Sequence, residues 1–259
     1  MNFSDDELER YARHLVLPEF GGRGQAALAQ ARVAVVGAGG LGSPCLLYLA
    51  AAGVGRLTII DDDQVAVSNL QRQILFATAD TGAMKAERAA TRLHALNPHV
   101  ETMAVPLRLT ADNADALLAG HDLIIDGCDS FATRLVVADA ALALRVPLLS
   151  GAVGPYDGQV ALFKGYDWGH DPPLPCYRCF VGSPQDQPDR NCAATGVLGA
   201  LTGVIGSLMA LAAIRELSGF GPSSAGSLLL FDARAGRFRT IALPKDPACP
   251  ACAPTQLAQ

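Results

Sequence analysis

The chain has 259 residues, half of them hydrophobic, and a formal net charge of −5. That length fits one large α/β domain whose core is big enough to exclude disorder, and the mild acidity argues against a nucleic-acid binder, which needs a basic face. The opening stretch MNFSDDELERYARHL is charged and has no apolar segment, so a cytoplasmic chain without a secretory signal is expected.

Ser4 and Glu7 form a capping box that opens a helix running to about His14, within an N-terminal helical segment ending near residue 25. A nucleotide-binding core is expected over residues 32–150. Strands are predicted over Arg32–Val36, Arg56–Asp61, Val100–Val105, His121–Asp126 and Pro147–Leu149, with helices over Leu41–Ala52, Met84–Leu96 and Phe131–Leu144. Alternation of this kind implies a parallel sheet covered on both faces. Beyond Gly151 the rhythm changes. Gln159–Phe163, Ser227–Phe231 and Arg237–Leu243 read as strands without crossover helices between them, and Asp167–Asn191 reads as a long loop. From Gly196 to Ile214 there is no charge, and Gly199 and Gly203 form a G-x-x-x-G. Interrupting glycines and the immediate Arg215 and Glu216 favour a buried helix, packed within the chain or against a second subunit, over a membrane span.

Chemistry begins at the glycines. Gly37, Gly39, Gly40 and Gly42 follow a strand and open a helix, an order that lets backbone N–H groups approach a phosphate or ribose. Asp61 ends the next strand, about 20 residues on, where a carboxylate accepts from ribose hydroxyls. Its neighbours Asp62 and Asp63 are also acids, and side-chain direction alone does not choose among the three; the strand end favours Asp61. Arg72 and Lys85 follow, and Asp129 lies just past the strand 121–126, placed to hold Mg²⁺. An NAD-dependent oxidoreductase, the alternative reading, has no need of those two cations. A triphosphate does, because phosphoryl chemistry is positioning plus charge neutralisation.

The G-A-G-G-L-G loop, Asp61, Ser68-Asn-Leu-Gln-Arg-Gln73, Lys85, Asp126-Gly-Cys-Asp129 and Cys176-Tyr-Arg-Cys179 together closely resemble the ubiquitin-activating-enzyme-like family, in its bacterial MoeB/ThiF branch. The resemblance covers essentially the whole chain. It implies a Rossmann-like, doubly wound, mainly parallel sheet extended by antiparallel strands, in a homodimer that binds ATP and Mg²⁺. Carried over by position, Gly40 and Asp61 contact the nucleotide, and Asn69, Arg72 and Lys85 the phosphates. Ser68 and Ser130 lie in the same site, and Asp129 holds the magnesium. Arg13 matches an arginine offered to the partner subunit's active site. The implied reaction adenylates the C-terminal glycine carboxylate of a ubiquitin-like sulfur carrier ending in Gly-Gly, for molybdopterin- or thiamin-type sulfur transfer. Cys128 and Ser130 stand where many relatives have Thr and Asn. No rhodanese-like domain follows, so a separate sulfur-donor protein is expected. A relative that cyclises threonylcarbamoyladenosine in tRNA is the rival within the superfamily, weakened by the cysteines and the lack of a basic face.

Cys176, Cys179, Cys249 and Cys252 form two C-x-x-C half-sites suited to tetrahedral Zn²⁺, stapling a loop to the tail of the 151–259 carrier-binding half. Redox dithiols are the other reading, although neither pair opens a helix in a thioredoxin-like setting. Cys192 matches the family's loop cysteine, as either a covalent acceptor or a family remnant. Cys45 and Cys128 read as core residues.

Overall fold

The computed structural model describes residues 3–182 and 196–253. Eight strands form one sheet: β1 (Arg32–Val36), β2 (Arg56–Ile60), β3 (Glu101–Val105), β4 (Leu123–Asp126), β5 (Leu148–Val153), β6 (Asp157–Phe163), β7 (Ser227–Asp232) and β8 (Arg237–Ala242). Their order is β3-β2-β1-β4-β5-β6-β7-β8. The first five are parallel and the last three antiparallel. The mixed doubly wound sheet expected from the sequence is therefore present. Strand order reverses beside β1, between β2 on one side and β4 on the other, and a crevice opens at such a switch point.

The period-2 alternation of the parallel strands feeds two cores. Val33, Val35, Leu57, Ile59, Leu123 and Ile125 face one cluster. That layer is built from helices α3 (Gly21–Gln30), α4 (Gly42–Ala52), α5 (Lys85–Leu96) and α9 (Gly199–Ser218). Ala34, Val36, Ile60 and Ile124 face the other, under α6 (Ala114–Leu118) and α7 (Phe131–Ala143). Strands β1, β2 and β4 are buried on both sides, hence their near-continuous apolar runs.

The N-terminal capping box is present, but the single helix expected to His14 is two, α1 (Asp5–Arg10) and α2 (Ala12–Leu15), broken at Tyr11. Helix α6 has no counterpart in the sequence reading, and α3 starts inside the expected N-terminal helical segment but runs past its end at residue 25 to Gln30. The long loop expected over 167–191 contains α8 (Tyr177–Val181), which Cys176 caps, so one C-x-x-C does open a short helix. Helix α9 is long and apolar enough to cross a membrane by length and composition. Leu201, Ile205, Met209 and Ala213 instead bury it in the sheet's core. Of its two expected packing glycines, Gly199 sits against the Gln71 carbonyl, whereas Gly203 faces open space.

Candidate functional site

A cleft of about 550 Å³ opens at the carboxyl ends of β1 and β4. Gly37, Gly39 and Gly40 form one wall, Asp61, Asp63, Arg72 and Lys85 a second, and Gly127, Cys128 and Asp129 a third. The glycine turn is obligatory. Gly37 has φ of +93°, and a Cβ at Gly42 would stand 1.9 Å from the Gly37 carbonyl oxygen. Only glycine lets helix α4 start this close beneath the turn.

Asp61 is fixed from both sides, its Oδ2 accepting from Ala38 N at 2.7 Å and its Oδ1 from Asp63 N at 2.9 Å. Burial raises its pKa, and nearby Lys85 works against that rise. Asp62 does not line the cleft, whereas Asp63 does and takes Lys85 Nζ on its Oδ2 at 2.7 Å. The Lys85 side chain is 5% exposed and that of Asp63 68%, so the pair spans the boundary between floor and solvent. Arg72 folds back, donating from Nη1 to the Ser68 carbonyl at 3.3 Å.

The remaining sequence candidates lie around this cleft rather than in its wall. Gly42 supports the turn from below. Ser68 and Asn69 belong to a 3-10 turn over Val67–Asn69, and neither lines the cleft. Ser130 caps α7, its Oγ accepting from Thr133 N at 3.4 Å. Arg13 is exposed on α2, away from the lining. Cys192 lies outside the described residues. Cys45 is a core residue as expected, but Cys128 is half-buried in the cleft wall.

Four further side chains, none of them a site candidate from the sequence, brace this cleft. Arg134 on α7 is 8% exposed and grips the β4 exit. Its Nη1 donates to Asp126 Oδ2 at 3.0 Å and to Ser150 Oγ at 3.1 Å, and its Nη2 donates to the Cys128 carbonyl. Burial alone would lower its pKa, but Asp126 and Tyr177 more than reverse that, so the guanidinium stays charged. Asp126, 1% exposed, also accepts from Cys128 N on Oδ1 at 3.0 Å. The turn 126–128 is thus held from below, and this aims Asp129 into the cleft. Tyr177, between two of the cysteines, stands near enough to Arg134 to raise the pKa of its guanidinium. Arg178 beside it makes a two-pronged pair with Asp139 of α7, at 2.7 and 2.6 Å.

Cys176, Cys179, Cys249 and Cys252 converge so that their sulfurs all lie within 4.8 Å of one another. Sulfur–sulfur contacts of 3.8, 3.6 and 3.5 Å match the edge of about 3.8 Å of a tetrahedron with metal–sulfur bonds of about 2.3 Å. Thiol donors at Cys176 and Cys252 lower the pKa of Cys179, and the bond to Cys179 raises that of Cys176. Only a cation would let all four ionise together. The cluster is able to hold a metal ion.

A glycine turn, a terminal acid and paired cations at the switch point of a doubly wound sheet define a nucleotide-binding α/β protein. Sequence comparison narrows the class: the chain belongs to the ThiF family, whose profile matches residues 11–251. It is 48% identical to a sulfur carrier protein adenylyltransferase of Thermus thermophilus, over 99% of this chain and 95% of that protein. It is 46% identical to the mouse adenylyltransferase and sulfurtransferase MOCS3, over 96% of this chain but only 53% of that protein. Likeness of this extent makes it an adenylyltransferase, and with that an ATP-binding enzyme. A crystal structure of Escherichia coli MccB with ATP shares the fold, with a TM-score of 0.77 at 18% identity, over 97% of this chain and 82% of that one.

Proposed function

We propose that the chain adenylates the C-terminal glycine carboxylate of a ubiquitin-like sulfur carrier of the molybdopterin or thiamin type. The observation that carries this is the meeting of Asp61, Arg72, Lys85 and Asp129 in one cleft at the switch point. In the reaction, a carrier carboxylate oxygen attacks the α-phosphorus of ATP, the bond to the β-phosphate oxygen breaks, and pyrophosphate leaves. The product is a mixed anhydride ready for sulfur from a separate donor protein.

Two anions must meet, so positive charge has to be fixed in advance. Arg72 and Lys85 neutralise the phosphates, Asp61 takes the ribose, and Arg134 keeps the Asp129 turn rigid. Asp129 presents an exposed carboxylate to the cleft, which suits a hard cation; Mg²⁺ there would offset the charge of the departing pyrophosphate. Ser68 and Asn69 lie one turn before Arg72 and Ser130 directly follows Asp129, so all three would contribute from the margin of the cleft. Arg13 would act on the partner's cleft in a homodimer, which explains an arginine standing away from its own. The four cysteines suit Zn²⁺ in a closed structural site. The setting is cytoplasmic.

The test is ATP–pyrophosphate exchange with purified MoaD-like and ThiS-like carriers added separately. Exchange that needs one carrier's intact Gly-Gly tail, and is abolished by Asp129→Ala without loss of fold, is the expected result. Exchange with neither carrier, from a protein that binds ATP, would overturn the assigned acceptor.

A further inference from the structure

Gln73 closes the string Ser68–Gln73 and has no part in the chemistry above. Its side chain is 4% exposed and lines the cleft. The backbone is pinned on both sides, N–H donating to the Asn69 carbonyl at 3.0 Å and the carbonyl accepting from Phe76 N at 3.1 Å. The side-chain amide is thereby directed at the glycine turn, its Nε2 3.6 Å from where a Cβ on Gly39 would stand. Its Oε1 is buried and, among the described residues, has no hydrogen-bond partner.

Buried carbonyls in folded proteins nearly always find a donor, and leaving one without is unfavourable. Oε1 lies just behind the cleft surface, and a turn of the amide would bring it to the face that Nε2 now presents, where a donor arriving with the ligand can satisfy it. The cleft's own cations are engaged elsewhere, Arg72 with the Ser68 carbonyl and Lys85 with Asp63. We infer that Gln73 is a further substrate-contacting residue, its Oε1 accepting a hydrogen bond from a donor on the bound magnesium–nucleotide complex. Ionised phosphate oxygens have none to give. The donors such a complex carries near a glycine turn are the ribose hydroxyls and the water around the magnesium. This rests on the reading of the cleft as an ATP site.

The variant Gln73→Met keeps the bulk and removes both polar atoms. Thermal melts without nucleotide should show it at or above the wild-type midpoint, since an unsatisfied buried carbonyl is gone. Calorimetry with ATP and magnesium should show affinity falling about tenfold, the worth of one hydrogen bond at the upper end of its range. A ribose donor makes the deficit vanish for 2′-deoxy-ATP or 3′-deoxy-ATP. A magnesium-bound water makes it vanish when magnesium is withheld. A deficit indifferent to both sugar and metal overturns the inference, and so does wild-type affinity in the variant. A variant melting well below wild type overturns it too, because Gln73 would then be serving the fold. Wild-type protein that fails to bind ATP would remove the nucleotide reading and this inference together.

Discussion

The centre of the sheet and its β8 edge are built to opposite specifications. Strand β4 is buried at all four positions and β1 at four of five, while β8 is exposed at all six. Around β1 and β4 helices cover both faces, and there Asp61 and Asp126 are held by backbone N–H groups of a rigid frame. The antiparallel half has an open edge. Phe238 lies stacked on Phe231 with ring centroids 4.5 Å apart, and β8 is a ribbon carrying Arg237 and Arg239 rather than a core strand. The difference teaches that chemistry is placed where position is overdetermined, and that the freely accessible surface is kept away from it.

That contrast can be broken experimentally, most severely at the cysteines. Replacing Cys176 and Cys249 together by Ser should lower the melting temperature more than any other change here and remove one zinc per chain, read by metal analysis. Unchanged metal content would refute the shared site. Arg134→Ala comes next, at about 3–5 kcal/mol, because it strands the buried Asp126 carboxylate. Denaturant unfolding measures it, and a loss below 1 kcal/mol would show the turn 126–128 to be self-supporting.

Asp61→Asn should move the other way. Burial raises the Asp61 pKa above its ordinary 3.8, so the wild-type fold loses stability as pH rises from that value through the folded one. The variant should therefore melt higher than wild type at pH 7 and converge with it below about pH 3.8, while binding nucleotide more weakly. A gap of the opposite sign at pH 7 would mean that the N–H bonds from Ala38 and Asp63 outweigh burial. Smallest is Arg239→Ser on β8, expected within about 0.5 kcal/mol of wild type by the same unfolding measurement. A larger loss would make the open edge a structural part of the fold.

Much of this was legible in the residues because periodicity and glycine spacing are local signals. Strands β1, β2 and β4 were placed to within two residues, and Asp61, Arg72, Lys85 and Asp129 do share a cleft. The second half of helix α3 is not legible because the helix opens on Gly-Gly-Arg-Gly, a poor helix start, and its burial of Leu28 is a tertiary effect. Arg134 escaped for a similar reason: an arginine in a helical pattern reads as surface charge, and only the fold reveals the buried acid beneath it. Gln73 ends the Ser68–Gln73 motif, yet a neutral amide gives no sign of being orphaned until its surroundings are known.

The cleft's close backbone contacts limit how this enzyme can diverge. A Cβ at Gly42 would lie 1.9 Å from the Gly37 oxygen, and one at Gly206 would lie 2.4 Å from the Leu41 oxygen, where α9 crosses the start of α4. At Gly42 the near obstacle is backbone, and at Gly206 it is the Leu41 carbonyl together with the Pro44 ring at 2.5 Å, so exchanging one side chain relieves neither. Lineages can explore new substrates by altering the side chains that line the cleft. At these two glycines drift has nowhere to go.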